Sequence, residues 1–184
     1  MKTVLKLLLI AFITSTAVRM MFVARLQFAN DPSVSVTPLN FPLPDAPLPK
    51  WDDSFAKVTG KDFPDHPVLI VFFGSWCPPC LVEYAALSEI AGRKDAADII
   101  GIAVRDTPEN IRRLFETKGR VFTETLMDAE DKWARAFDAA RLPAAYLTDG
   151  RGNVVYKFNG LLNNDFYENV LLPLIRERNG DVAQ

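Results

Sequence analysis

An uninterrupted apolar run at residues 68–73 stands directly before the short segment that carries both cysteines of the chain. The run is rich in β-branched and aromatic side chains, which is typical of a strand that is buried on both faces of a sheet. The residues that follow read Gly-Ser-Trp-Cys-Pro-Pro-Cys, and a helical pattern extends from Cys77 to about Arg93. The sequence therefore predicts that Cys77 and Cys80 lie where a buried strand turns into a helix.

After residue 67, short apolar runs alternate with helical patterns, as expected for an α/β fold built on a central sheet. A second buried strand is predicted at residues 99–104. A helix follows it, because Thr107 supplies an N-cap, Pro108 occupies the first helical position and Gly119 stands at the end. The remaining predicted elements are a weaker strand at 121–126, a helix capped by Asp128, a β-hairpin that joins 144–148 to 153–158, and a final helix that begins near Asn164. Pro173 is expected to kink this helix or to mark its last regular turn.

The N-terminal region predicts export of the chain. The uncharged run at residues 7–18 has the length of the apolar core of a secretory signal, and it is shorter than the roughly 20 residues that span a bilayer. If the Arg19 side chain extends toward the interface, the stretch to Ala24 becomes long enough for an uncleaved anchor. We therefore expect residues 1–27 to form a single membrane anchor, with cleavage of a signal peptide at residues 15–17 as the alternative.

Proline content and charge divide the rest of the chain. Residues 31–50 contain six of the thirteen prolines, which predicts an extended spacer or a loop laid along the domain. We therefore expect a linker at residues 28–50 and a folded domain at residues 51–184. Residues 1–50 carry five basic and two acidic side chains, so the remaining residues carry 16 basic and 21 acidic ones, a net charge of −5. This acidic domain has no broad basic face, and nucleic acid is not an expected partner.

The two cysteines have the spacing and position of a redox-active pair. A thiolate is the nucleophile of disulfide exchange, and the positive end of a helix N-terminus favours it. Cys77 is the outer residue and is expected to attack a disulfide in another protein, the client, after which Cys80, one turn deeper, resolves the mixed disulfide. A purely structural disulfide is one alternative. A metal held by both thiolates is another; it needs further ligands from a partner chain, and His66 is the only imidazole nearby. Two cysteines and one histidine are too few for a four-ligand zinc site of these residue types, and no metal or cofactor is expected.

Several further motifs accompany the cysteine pair. They are the run Val-Leu-Ile-Val-Phe-Phe before Gly74, the acid Glu83, the pair Leu142-Pro143, the segment Tyr-Leu-Thr-Asp-Gly-Arg-Gly at residues 146–152, and residues 163–175 with their Leu-Pro-Leu-Ile. With these motifs, residues 66–178 resemble the thioredoxin superfamily, and within it the membrane-tethered thioredoxin-like reductases of cytochrome c maturation (the CcmG/DsbE type, with ResA and TlpA as relatives). The resemblance implies a thioredoxin-like fold in which helices flank a central mixed β-sheet.

The resemblance also implies roles for the residues around the disulfide. Pro143 is expected to be a cis-proline that faces the disulfide, and the backbone beside it, at Leu142, to pair with an incoming peptide. Trp76 is expected to pack beside the disulfide. Glu83 matches an acid held near the second cysteine; on one helix face with Cys80, it could raise the pKa of that thiol or relay its proton. A solvated helix glutamate is the alternative for Glu83.

The same resemblance implies that the protein is an inner-membrane thiol:disulfide oxidoreductase whose domain faces the periplasm. Its expected clients are apocytochrome c or a thiol carrier, whose disulfides it reduces with electrons from a membrane thiol transporter. A periplasmic disulfide oxidase or isomerase that uses the same thiols is one alternative function. A binding module that carries copper or haem without turnover is the other.

Overall fold

The computed structural model describes the chain over residues 34–182. In chain order its strands are β1 (Ser35–Pro42), β2 (Leu48–Pro49), β3 (Lys57–Val58), β4 (Leu69–Phe73), β5 (Ile99–Val104), β6 (Glu124–Asp128), β7 (Ala144–Thr148) and β8 (Asn153–Asn159). Its helices are α1 (Pro78–Ala91), α2 (Pro108–Lys118), α3 (Lys132–Ala136), α4 (Asn164–Phe166) and α5 (Leu172–Val182), with a short 3-10 turn at Gly60–Asp62 and a π-helical turn at Tyr167–Leu171. From β4 onward, the order of elements is the one that the sequence predicts.

Six of these strands form one sheet, in the order β1-β8-β7-β4-β5-β6. β4 runs parallel to β5 and β5 runs parallel to β6, whereas β7, β8 and β1 are joined by antiparallel pairing. The helices α1 and α2 connect the parallel strands, because parallel neighbours need a crossover connection. The predicted central mixed sheet with flanking helices is therefore confirmed.

β4 lies near the centre of the sheet, and all of its residues are buried. Its side chains alternate between two apolar cores. Val71 and Phe73 face the core that also contains the apolar faces of α1 and α2, and Ile70 and Phe72 face the core that contains Trp133 of α3. Full burial of one such side chain contributes roughly 1.5–3 kcal/mol relative to exposure in water. The strand that leads into the cysteine segment is thus held firmly on both faces.

The proline-rich segment is the largest difference from the sequence prediction. β1 pairs antiparallel with β8 along one edge of the sheet, with an irregular register between Pro38 and Phe41. Prolines are compatible with this position because an edge strand uses its backbone donors on one side only. Leu48, further along, is buried in the core that contains α3. The described part of the predicted linker therefore belongs to the folded domain from the start of β1, so the domain begins before residue 51, and a spacer held away from the domain is wrong for residues 35–50.

The predicted membrane anchor at residues 1–27 and the beginning of the predicted linker lie outside the described residues. Within residues 34–182, no helix has the length and the apolar character needed to cross a membrane. The anchor stays a prediction from the sequence.

Two shorter elements begin later than predicted. β6 starts at Glu124 instead of residue 121, and α3 starts at Lys132. The buried Asp128 carboxylate nevertheless accepts hydrogen bonds from the backbone N–H groups of Lys132 (2.7 Å) and Ala134 (2.8 Å). Asp128 therefore satisfies backbone donors at the start of α3, as predicted, although a turn separates it from the helix.

The last helical region begins at Asn164, as predicted. The Asn163 side chain caps it by accepting a hydrogen bond from the Phe166 N–H (2.8 Å). Pro173 is the second residue of α5, and α5 directly follows the π-helical turn. A proline has no N–H, and its ring crowds the carbonyl group of the preceding turn, so a wider turn at this place accommodates it. The irregularity predicted at Pro173 takes this form.

Candidate active site

Both cysteines lie at the N-terminal end of α1. The chain leaves β4 at Phe73, turns through a hydrogen bond from the Cys77 N–H to the Gly74 carbonyl oxygen (3.0 Å), and enters the helix at Pro78. Pro78 and Pro79 occupy the first two helical positions, where a backbone N–H has no acceptor within the helix, so these prolines cost no hydrogen bond. The predicted placement of the cysteines at a strand-to-helix turn is confirmed.

Cys77 and Cys80 form a disulfide, and their Cα atoms are 5.3 Å apart. Each side chain is only 4% exposed, so exposure does not distinguish the two cysteines. Their positions do: Cys77 is the N-cap residue of α1 and its Sγ lies 3.7 Å from the Leu142 carbonyl oxygen, whereas Cys80 lies one turn into the helix. The positive end of α1 therefore lies at Cys77, where it favours the thiolate form once the disulfide is reduced.

Leu142 and Pro143 lie across from the disulfide. The peptide bond between them is cis, as predicted. β7 begins at the next residue, Ala144, which pairs with Phe72 of β4. This antiparallel pairing brings the start of β7 beside the end of β4, where the chain turns toward Cys77. Leu142 and Pro143 are both partly exposed.

Trp76 forms an exposed rim of the site. Its side chain is 49% exposed, and its Nε1–H donates a hydrogen bond to the Val104 carbonyl oxygen (3.0 Å) at the end of β5. The Arg105 guanidinium lies over the indole, 5.2 Å from the ring centroid. The next residue, Asp106, is buried and accepts hydrogen bonds from Ser75. The turn after β5 therefore contacts both residues that precede Cys77.

Sequence reasoning misses Ser75, Arg105 and Asp106. The contacts depend on the parallel pairing of β4 with β5, which brings the carboxyl ends of two strands together although Ser75 and Asp106 are 31 positions apart. The sequence offers one signal for this contact: the segments that carry Ser75 and Asp106 each directly follow a strand predicted to be buried. That signal becomes specific only when the two strands are known to be neighbours.

Glu83 is buried, with only 3% of its side chain exposed, so the alternative of a solvated helix glutamate is wrong. Its Oε1 accepts a hydrogen bond from the Leu162 N–H (2.7 Å), in the segment between β8 and α4. Burial raises the pKa of Glu83 to about 7, and the Leu162 N–H opposes that rise. Glu83 follows Cys80 by three positions on α1, which places both on one side of the helix. A carboxyl group that gains or loses a proton near neutral pH therefore lies one turn from Cys80.

Within residues 34–182, no group of three or more His, Cys, Asp and Glu side chains is arranged to hold a metal ion. The His66 ring nitrogen Nε2 lies 2.8 Å from Asp98 Oδ2. His66 precedes β4 whereas Cys77 follows it, so the length of the strand separates the imidazole from the disulfide. The alternative in which His66 and the two cysteines share a metal is not compatible with this placement.

Three features together define a thioredoxin-like thiol-disulfide protein. They are the mixed sheet, the cysteine pair at the N-terminus of the first crossover helix, and the cis-proline across from that pair. Residues 39–157 match the AhpC/TSA family. The chain is also 30% identical to the thiol:disulfide interchange protein DsbE of Xylella fastidiosa over 171 residues, which are 93% of this chain and 82% of that protein. The chain therefore belongs to the AhpC/TSA family, and it is a thiol:disulfide interchange protein of the DsbE type.

A second relative and a solved structure are also similar to this chain. The thiol:disulfide interchange protein HelX of Rhodobacter capsulatus is 29% identical over 121 residues, which cover 65% of this chain and 68% of that protein. The crystal structure of a secreted thiol-disulfide isomerase from Corynebacterium glutamicum matches with a TM-score of 0.65 at 18% identity, covering 80% of this chain and 94% of the other. The second likeness shows that the two proteins share the thioredoxin-like fold.

Proposed function

We propose that this protein is a membrane-tethered, periplasmic thiol:disulfide oxidoreductase that reduces the disulfide of apocytochrome c or of a thiol carrier that serves it. The observation that carries the proposal is the Cys77–Cys80 disulfide at the N-terminus of α1, facing the carbonyl group of Leu142. The DsbE relative supports thiol-disulfide exchange as the reaction. The apolar run at residues 7–18 supports the tether, and the motif resemblance to cytochrome c maturation reductases supports the client.

The exchange transfers two electrons from this protein to the client. The Cys77 thiolate attacks one sulfur of the client disulfide; a mixed disulfide forms, and the second client sulfur leaves as a thiolate that takes up a proton. The Cys80 thiol then loses its proton and attacks the Cys77 sulfur, which releases the first client sulfur as a thiolate that takes up a proton. One client disulfide has become two thiols, and the protein has become oxidised. A membrane thiol donor returns two electrons and two protons to Cys77 and Cys80.

Glu83 is the acceptor that we assign to the proton leaving Cys80. The carboxyl group lies one turn further along α1, and its pKa of about 7 allows it to take up or release a proton near neutral pH. Its hydrogen bond to the Leu162 N–H holds the carboxylate in the interior. Relay through Glu83 assists the second half of the exchange, in which Cys80 becomes the nucleophile.

Burial of the disulfide supports a restricted set of clients. Each sulfur-bearing side chain is 4% exposed, so a client must fit against the Trp76 rim and the Leu142–Pro143 backbone before it reaches Cys77. A reducing protein in an oxidising compartment depends on such selectivity, because unrestricted exchange with other disulfides would consume its electrons. We therefore assign client selection to the surface around Cys77.

Trapping the client tests this function. The variant Cys80→Ser keeps the nucleophile and removes the resolving thiol, so a mixed disulfide with the client accumulates. The double variant Cys77→Ser/Cys80→Ser is the matched control. The variants are expressed in the native cell, adducts are separated without reductant, and the attached proteins are identified by mass spectrometry.

We expect an adduct with an apocytochrome c or with a thiol carrier, which reductant releases and which the double variant lacks. Adducts with many newly exported proteins would instead support the oxidase or isomerase. Retention of copper or haem without any adduct would support the binding module, and it would overturn the proposal.

A further inference from the structure

The buried Asp106 carboxylate holds the segment that leads into Cys77. Its Oδ2 accepts a hydrogen bond from the Ser75 N–H (2.6 Å), and its Oδ1 accepts one from the Ser75 hydroxyl group (3.0 Å). Only 6% of the Asp106 side chain is exposed. A buried acceptor that satisfies both a backbone and a side-chain donor fixes a loop more strictly than either contact alone. Ser75 is two residues from Cys77, so this contact acts directly on the backbone of the reactive cysteine.

Arg105 acts on the neighbouring indole. Its guanidinium lies over the Trp76 ring, whose Nε1–H bonds to the Val104 carbonyl oxygen. The indole also lies against Gly74, because a Cβ added there would come within 2.7 Å of Nε1 and 2.8 Å of Cε2. The ring is therefore held by three separate contacts, and it is still half-exposed.

The turn that carries these two side chains is itself fixed. Arg105 has a left-handed backbone with a φ of 49°, its N–H donates to the Asp128 carbonyl oxygen (3.2 Å), and its Nε lies 3.3 Å from Asp131 Oδ1. Asp106 Oδ1 also accepts the Thr107 N–H (2.9 Å), and Thr107 caps α2. A strained backbone that surrounding contacts hold in place occurs most often at functional sites.

We propose that Asp106 and Arg105 are positioning residues for the exchange reaction at Cys77. Asp106 fixes the backbone from Ser75 to Cys77, and Arg105 fixes the Trp76 indole against which a polypeptide client docks. The proposal rests on the proposed thiol-disulfide exchange. It adds that two residues of the turn after β5, which never touch the reacting sulfurs, set the rate of exchange and the affinity for the client.

The two residues have separable effects. Displacement of a reactive group by about 1 Å lowers a rate roughly a hundredfold, so loosening the backbone before Cys77 slows attack on every disulfide, whether small or large. Loosening the indole affects only clients large enough to contact it. Asp106 variants should therefore lower the maximal rate, whereas Arg105 variants should raise the client concentration needed for half-maximal rate.

The test of Asp106 measures the rate of a single turnover with prereduced protein. Oxidised glutathione serves as the small disulfide and a disulfide-containing peptide as the large one, and the reaction is stopped by acid and thiol alkylation. Asp106→Asn presents an N–H₂ group to one of the two Ser75 donors, and we expect the rate to fall roughly tenfold or more with both substrates. Ser75→Ala, which removes only the hydroxyl contact, should lower it roughly threefold. Ser75→Thr, which keeps the hydroxyl group, should retain the rate.

The test of Arg105 measures how the same single-turnover rate depends on peptide concentration. For Arg105→Gln we expect the half-saturating peptide concentration to rise about fivefold, the order expected for loss of one cation–aromatic contact, with an unchanged maximal rate. The rate with oxidised glutathione should also be unchanged. Arg105→Lys keeps a cation over the indole and should restore most of the peptide affinity.

Asp149→Asn is the matched control for the loss of a loop-holding carboxylate. Asp149 Oδ1 accepts backbone N–H groups of Arg151 (2.7 Å) and Asn153 (3.0 Å) at the end of β7 that lies away from Pro143. All rates are normalised to the folded fraction, and Asp149→Asn should then match the unmodified protein.

Normalised rates of Asp106→Asn and Ser75→Ala equal to those of the unmodified protein would overturn the role of Asp106. Failure of Ser75→Thr to retain the rate would do the same. A lower maximal rate with unchanged peptide affinity in Arg105→Gln would overturn the role of Arg105. Failure of the unmodified protein to exchange either disulfide would instead refute the proposed function, so the two failures are distinguishable.

Discussion

Replacement of the buried Glu83 by glutamine should change how the stability of the protein depends on pH. The pKa of Glu83 is about 7 in the folded protein, against an ordinary value of 4.5, because burial disfavours the charged carboxylate. Between these two pH values, the folded state holds a proton that the unfolded state has lost. The favourable contribution to the free energy of unfolding is therefore complete below pH 4.5 and is lost as pH rises through 7.

The size of the effect follows from the same values. An interval of about 2.5 in pKa corresponds to roughly 3 kcal/mol, at about 1.4 kcal/mol for each unit. Glutamine is neutral at every pH in this range, and its amide oxygen can still accept the Leu162 N–H. The stability of Glu83→Gln relative to the unmodified protein should therefore rise by roughly 3 kcal/mol between pH 4.5 and pH 8.

Urea unfolding of the oxidised proteins at several pH values between 4.5 and 8 measures this change, and the disulfide prevents titration of the cysteines. Glu116→Gln, at an exposed position of α2, is the control, and its relative stability should stay nearly constant. A relative stability of Glu83→Gln that stays constant with pH, or that falls as pH rises, would refute the reasoning. It would mean that burial does not disfavour the charged form of this carboxylate.

Three further changes test the packing of the fold by the same unfolding measurement. Deletion of the residues before 43 removes β1 and should cost roughly 2–4 kcal/mol, whereas a detached linker could be removed at no cost. Trp133→Ala should cost about 3–5 kcal/mol, because the indole is fully buried and its Nε1–H donates to the Ala46 carbonyl oxygen (2.7 Å); a cost below about 1 kcal/mol would contradict this packing. Gly150→Ala should cost about 2 kcal/mol, because Gly150 has a φ of 72° and an added Cβ would lie 2.7 Å from the His66 Cα; unchanged stability would show that the turn adjusts freely.

The central elements of the fold are predictable because local signals and tertiary packing agree there. β4 is a continuous apolar run, and the structure buries it completely. At α2, the Thr107 hydroxyl oxygen accepts the Asn110 N–H (3.3 Å), as the N-cap pattern predicts. β1 is different, because its prolines indicate a linker. Pairing with β8 at the sheet edge uses donors on one side of the strand only, and that neighbour is unknown until the fold is known.

The residues of the candidate site also differ in whether the local sequence reveals them. Cys77 and Cys80 are identified by their spacing and by the strand before them, all within one short segment. The burial of Glu83 depends on the segment at Leu162, 79 positions away, and the contact of Asp106 with Ser75 depends on strand order. Local sequence therefore identifies the reacting groups, and long-range packing determines the groups that adjust them.

The reduction potential of the Cys77–Cys80 couple tests the central claim most directly. The purified domain is equilibrated with dithiothreitol buffers and with glutathione buffers of known potential, and the reduced fraction is counted by thiol alkylation and mass spectrometry. A protein that reduces its clients should have a potential near that of thioredoxin, about −270 mV. A potential near that of DsbA, about −120 mV, would contradict the account, because such a couple donates a disulfide to its client instead of removing one.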